Sequence, residues 1–304
     1  MVSAPTRVNS RPAEQVTVSA DARVRPARTF TALVLAGQRS ADDPVARAAG
    51  VCCKALAPVA GRPMVLRVLD ALAASAHVGR RVLCGPAWPA LETSPELLAG
   101  LEAGAWDWLE PEETPSTSAL VALRALPEAV PVLLTTADHA LLRPEIVDYF
   151  CAGALAAGVD LAAGLARYQE VMAAFPGMGR TALRFRDDTY CGCNLYAFLS
   201  PGAHHAAAFW RRVEQERKRP WRLIQAIGWY SVVRYLLGRL TLAEALDRLS
   251  VRLQARVGHV LLPFPEAAVD VDKLSDWEYV QRLAAAVGTG PAASGATDPP
   301  RAAG

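Results

Sequence analysis

FTALVLA, residues Phe30–Ala36, followed at once by Gly37, decides the fold. The run is uncharged, too short for a core helix and closed by a glycine. It reads as a strand buried on both faces, which is how strands of a parallel sheet covered by helices look. Downstream, Met64–Ala76 carries Val65, Leu66, Val68, Leu69 and Leu72 at helical spacing, with Pro63 at the first helical position. The alternation continues with a strand at Arg81–Cys84, a helix at Glu96–Ala103 and a second strongly apolar strand at Pro131–Thr136 that ends on Ala137 and Asp138. Pro144 then opens a helix over Glu145–Leu155. Strands alternating with helices predict an α/β fold, a three-layer, mostly parallel Rossmann-like sheet with its ligands at the carboxyl ends of the strands.

The second half is less regular. Leu161–Ala166, Ala182–Phe185, Asn194–Leu199, His259–Leu262 and Ala268–Val271 read as strands, Phe209–Leu249 as almost entirely helical, and Ser275–Ala286 as a final helix. The expectation is one domain over residues 30–287 with a helical insertion at about 203–250. Composition marks residues 1–29 and 288–304 as disordered arms, being rich in Pro, Ala, Ser, Gly and Arg.

With 52% hydrophobic residues in 304, the chain can bury a large core, which excludes a disordered or collagen-like protein. Lys+Arg at 32 against Asp+Glu at 30 gives no whole-chain electrostatic reason for a nucleic-acid partner. Six cysteines without an apolar leader predict reduced thiols and a cytoplasmic protein, and no uninterrupted apolar run is long enough to span a membrane. Neither Cys52/Cys53 nor Cys191/Cys193 forms the C-x-x-C knuckles of a zinc site.

The chemistry concentrates at strand ends. A buried strand ending in Leu35, Ala36, Gly37 and Gln38, then the loop residue Arg39, then Lys54, can surround a triphosphate with backbone N–H groups and two cations. Lysine occurs only at 54, 218 and 273 in a chain whose other 29 basic residues are Arg, so Lys54 suggests a need for a compact point charge. Asp138, a carboxylate just past a buried strand, is costly there unless a cation satisfies it, which makes it a candidate ligand for Mg²⁺ or Mn²⁺. Its neighbour His139 reads as structural. Late in the chain, AVDVDKLSDWEYV (Ala268–Val280) places Asp270 and Asp272 on one face of a strand, with Ser275 as an N-cap.

Between Arg211 and Arg222, Arg211, Arg212, Arg217, Lys218, Arg219 and Arg222 outweigh Glu214 and Glu216, a local net of +4, with Trp210, Trp221, Trp229 and Tyr230 around them. Residues 209–240 therefore suit peripheral contact with an anionic bilayer, at the inner face of the membrane, or the grip on a phosphorylated acceptor. A solvated face, or tryptophans packed into the core or a subunit contact, is the plainer alternative.

The order LAG, Arg, then K-x-L-x-P-V-x-G-x-P-M and a helix resembles the MobA-like NTP transferases. These are nucleotidyltransferases of the molybdenum-cofactor guanylyl- and cytidylyltransferase type, similar in fold to A-type glycosyltransferases. The resemblance implies that Leu35, Ala36, Gly37, Gln38, Arg39 and Lys54 bind the nucleotide phosphates, with Arg39, Lys54 and Asp138 catalytic and Gly61 and Pro63 shaping the turn behind the loop. It implies that Asp138, Asp270 and, second, Asp272 hold the metal, and that Gly192 and Asn194, similar to a G-G-N motif, face the acceptor. Gln38 stands where the family has a second glycine, Cys193 replaces another, and the loop to Lys54 is longer. The implied reaction is Mg²⁺-dependent transfer of NMP from an NTP to a phosphorylated small molecule or lipid headgroup, with release of pyrophosphate. A glycosyltransferase using a nucleotide sugar and a non-catalytic nucleotide-binding or membrane-peripheral protein are the alternatives.

Overall fold

The computed structural model describes residues 30–38, 42–126, 130–216 and 228–288. Residues 1–29, 39–41, 127–129, 217–227 and 289–304 lie outside them. The strands are β1 (Phe30–Leu35), β2 (Pro58–Val59), β3 (Arg62–Pro63), β4 (Val78–Cys84), β5 (Asp107–Leu109), β6 (Val132–Thr136), β7 (Leu161–Arg167), β8 (Leu183–Arg184), β9 (Thr189–Phe198) and β10 (Val257–Leu261). Seven of them form one sheet in the order β10-β7-β9-β6-β1-β4-β5, and β8 pairs with the start of β9. The neighbours β10 and β7, β6 and β1, β1 and β4, and β4 and β5 are parallel, whereas β9 runs antiparallel to β6, β7 and β8.

β1 shows why its sequence is apolar without a break. Ala32 and Val34 pack into one core with Val65 and Leu69 of helix Met64–Ala74 and Phe150 of helix Pro144–Ala156. Leu33 and Leu35 point to the opposite core, with Leu120 and Leu123 of helix Pro115–Ala125 and Ala206 and Ala207 of helix His204–Glu216. The period of two along a strand thus feeds two helical layers. From β1 the chain winds outward through β4 to β5 and then returns to β6 on the other side of β1. This reversal of strand order opens a crevice past the carboxyl ends of β1 and β6.

Several sequence expectations are corrected. Ala268–Val271 is not a strand: a 3₁₀ turn covers Pro265–Ala268, and the next residues run extended without joining the sheet. Val269 and Val271 are nonetheless buried, which is the source of the strand-like alternation. Within the described residues, the helical stretch Phe209–Leu249 holds the helices His204–Glu216, Trp229–Leu236 and Leu242–Leu253, and left-handed Gly238 and capping residue Thr241 interrupt it between the last two. The region between Leu35 and Lys54, read as a polar loop, contains the helix Pro44–Ala49.

β2 and β3 form a hairpin joined by Ala60 and Gly61, with φ of 49° and 77°. Both central residues are left-handed, as in a type I′ turn, which favours Asn-Gly; alanine there costs about 1 kcal/mol. Ala60→Asn is expected to stabilise the protein by about 0.5–1 kcal/mol. The gain would appear as a higher urea midpoint at unchanged slope. The Ala60 backbone N–H, which donates to Gln281 Oε1 at 2.8 Å, is retained in the variant.

Candidate active site

The loop after β1 stays in the sheet for one more step on each side: Ala36 N donates to Cys84 O at 2.8 Å, and Ala137 N donates to Leu35 O at 2.9 Å. Behind it sits Gly85, at φ 88°, where a Cβ would fall 2.9 Å from Ala36 C and from Gly37 N. A Cβ on Gly37 would come within 3.1 Å of Pro111 Cβ. Residues Leu35–Gln38 thereby line a cleft of about 410 Å³, with Gly37 held where a side chain would not fit.

Lys54 enters from the next segment. Asp43 caps helix Pro44–Ala49 by accepting from Val45 N and Ala46 N at 2.9 and 3.1 Å, and left-handed Gly50 ends it. A 3₁₀ turn, Lys54–Leu56, then aims the lysine into the cleft. Its Nζ donates to Asp138 Oδ2 at 2.6 Å and to Val271 O at 2.9 Å, and stands 4.0 Å from Asp272 Oδ1. Burial alone would lower the Lys54 ammonium, but Asp138 outweighs it and holds the group above its ordinary range. Burial likewise opposes the charge on Asp138, and Lys54 wins there too, keeping the carboxyl below its usual range. Asp138 Oδ1 is buried and has no hydrogen-bond partner.

Asp270 is fixed from two directions. Arg180, whose side chain is 6% exposed, donates from Nη1 to Asp270 Oδ1 and from Nη2 to the Asp270 carbonyl at 2.8 Å. Asn194 Nδ2 donates to Asp270 Oδ2 at 2.8 Å. Asn194 reaches it from a left-handed conformation, φ 48°, at an irregularity in β9 where the register with β7 shifts. Burial and the nearby charge of Asp272 push Asp270 up to about 6, with Arg180 opposing. Asp272 does not share a strand face with Asp270: its side chain is 68% exposed and lies towards Lys54.

The cleft is also lined by Glu112, Thr114 and Ser118, at and before the start of helix Pro115–Ala125, with Ser118 Oγ 4.0 Å from where a Gly37 Cβ would lie, and by Trp210 from helix His204–Glu216. Glu214 of the latter helix accepts from Ser116 N at 3.2 Å, tying the two helices at the rim.

The cleft therefore gathers Leu35, Ala36, Gly37, Gln38, Lys54, Asp138, Asn194, Asp270 and Asp272. Gly192 is exposed and not among its lining residues, and Arg39 lies outside the described residues. Of the basic stretch, Arg211 and Arg212 are on the helix of Trp210, while Arg217, Lys218, Arg219, Trp221 and Arg222 fall outside the described residues. His139 is fully buried, and burial pushes it down to about 4, so it is uncharged at neutral pH. Sequence reasoning missed Arg180, whose only signal is a cation in the glycine-bearing turn Phe175–Arg180, and the wall at 112–118, signalled by Thr114-Pro115 at a helix start.

Among the described residues no three His, Cys, Asp or Glu side chains are grouped to enclose a metal ion. Mg²⁺ characteristically uses one or two carboxylates and takes its remaining ligands from water and substrate phosphates. The unpartnered Oδ1 of Asp138 fits that use. Asp270 has a donor on each oxygen and could add a metal only through its remaining lone pairs.

A solved structure of a hypothetical transferase from Thermus thermophilus is 31% identical over 82% of this chain and 99% of its own, with a TM-score of 0.66. The 4-diphosphocytidyl-2C-methyl-D-erythritol synthase of Anaerococcus prevotii shares the fold at 12% identity, covering 84% of this chain and 96% of its own, TM-score 0.52. No curated protein matches. The family model of the MobA-like NTP transferase domain matches residues 32–188, a span that includes the β1 loop, Lys54, Asp138 and Arg180. With that match over half of its length, on a sheet whose reversal point carries this loop and lysine, the chain belongs to the MobA-like NTP transferase family and is an NTP-dependent nucleotidyltransferase.

Proposed function

We propose that the protein transfers a nucleoside monophosphate from an NTP to a phosphorylated acceptor, a small molecule or a lipid headgroup, and releases pyrophosphate. The observation that carries this reading is the Lys54 ammonium, held charged by Asp138 at 2.6 Å and positioned by Val271 O at 2.9 Å in the cleft that Leu35–Gln38 line. Such a group stabilises charge as it develops on a departing pyrophosphate without having to reorganise first. The acceptor phosphate is already anionic, so attack on the α-phosphorus needs no general base. Positioning supplies much of the rate. In this reading Arg39 adds a second cation to the phosphates, and Asn194, on the β9 side, orients the acceptor.

Asp138, through Oδ1, and Asp270 would hold Mg²⁺ or Mn²⁺, which when bound neutralises charge between the α-phosphate and the leaving group. Arg180 and Asn194 keep the Asp270 carboxylate aimed into the cleft. Pyrophosphate release, measured with each common NTP over a panel of phosphorylated acceptors, tests the proposal. Turnover is expected only when NTP and acceptor are both present, to vanish in excess EDTA and to return with Mg²⁺ or Mn²⁺. Full activity in EDTA would overturn the metal assignment, and product from a nucleotide sugar but from no NTP would overturn the reaction.

A further inference from the structure

The two ends of the cleft come from different parts of the chain. The nucleotide end holds Leu35–Gln38, with Ser118 Oγ 4.0 Å from where a Gly37 Cβ would lie. β9 stands two strands away from β1, so the other end lies about 10 Å across the sheet. It is formed by Asn194 and Tyr196 of β9 and by Trp210 of helix His204–Glu216. All three lie beyond residue 188, where the family match stops, so the family does not fix what this end selects.

Its character is aromatic. Tyr196, whose register partner is Leu134 of β6, and Trp210 are both half-buried, pack on the same hydrophobic cluster and still line the cleft. The polar groups around them are engaged with one another: Asp270 with Arg180 and Asn194, Thr114 Oγ1 with Ser116 Oγ at 3.2 Å, and Glu214 with Ser116 N. Among the described lining residues Lys54 is the sole cation, and in the proposed reaction it meets the phosphates. Rings with few open hydrogen-bonding groups beside them suit a flat, conjugated body and suit a hydroxyl-rich one poorly. We infer that Trp210 is a specificity-determining residue, stacking on an acceptor whose phosphate is carried by a flat conjugated ring. Glu214 is its positioning residue: one helical turn further on, the carboxylate accepts from Ser116 N at 3.2 Å and ties the helix of Trp210 to the rim. The inference rests on the transfer reaction proposed above and narrows its acceptor.

Calorimetric titration with naphthyl phosphate and with glycerol phosphate tests it, in Mg²⁺, with and without the α,β-methylene analogue of each common NTP. Naphthyl phosphate is expected to bind at least tenfold more tightly than glycerol phosphate. Trp210→Ala should remove about tenfold of that affinity and Trp210→Phe should restore most of it. Glu214→Ala should cause a smaller loss, and NTP affinity should stay unchanged in all three variants. Equal binding of the two phosphates, or undiminished naphthyl phosphate binding by Trp210→Ala, overturns the inference. So does a parallel loss of NTP affinity in Trp210→Ala, since the ring would then pack the helix or meet the nucleobase. The two readings fail separately: NTP turnover without a preference for the aryl phosphate removes this inference alone, whereas that preference without turnover of any NTP removes the reaction alone.

Discussion

Lys54→Met is expected to reduce nucleotidyl transfer by about 10²–10³-fold, since it removes a preorganised cation from the phosphate side of the cleft. It should also cost about 2 kcal/mol of stability, because it strands the Asp138 carboxylate, whose side chain is only 16% exposed. These losses have different origins and can be separated. Asp138→Asn should lose activity to a similar degree. The double variant Lys54→Met, Asp138→Leu should recover much of the stability, as buried pairs replaced by apolar groups often do, yet remain inactive. Urea melts together with pyrophosphate release decide the matter. Wild-type turnover in either single variant at saturating Mg²⁺ would remove that residue from the site.

Gly85→Ala carries the second large effect, although Gly85 lies behind the nucleotide loop. Its φ of 88° and the 2.9 Å approach of a Cβ to Ala36 C and Gly37 N leave no room for even a methyl group, and the obstructing atoms are backbone. A left-handed alanine plus the forced shift of the loop should cost about 2–3 kcal/mol. The change should also weaken NTP binding more than it slows turnover at saturation, since it moves the loop and spares Lys54 and Asp138. An unaltered KM for NTP with lost stability alone would show that Leu35–Gln38 can shift without consequence.

The legible and illegible parts of the chain divide on physical grounds. β1 and β6 were readable because both faces of each are buried, which leaves an uninterrupted apolar run, and the site positions at their ends followed directly. Helix Pro44–Ala49 was missed although its punctuation is present in the sequence: Asp43 as cap, Pro44 at the first turn and Gly50 in the left-handed stop. Its short, alanine-rich body shows no periodicity to weigh. Asp270 and Asp272 were found, but their shared strand was not real. Burial of Val269 and Val271 against the body of the protein produces the same alternation as a sheet. Arg180 could not be read at all, because its role comes from a partner 90 residues away.

Separations of this kind bear on how the protein comes to life on the ribosome. The two acceptors that hold Lys54 lie 84 and 217 residues further along the chain, and the cleft needs Asp270 as well. Contacts so remote in sequence form slowly and late, after the sheet strands that carry the nucleotide loop. Vectorial synthesis therefore presents the loop and Asp138 long before Val271 emerges to fix the lysine. A chain that stops short of residue 271 would carry the nucleotide loop, Lys54 and Asp138 but lack the carbonyl that fixes the lysine, so it is expected to bind and turn over NTP poorly even with the motif intact.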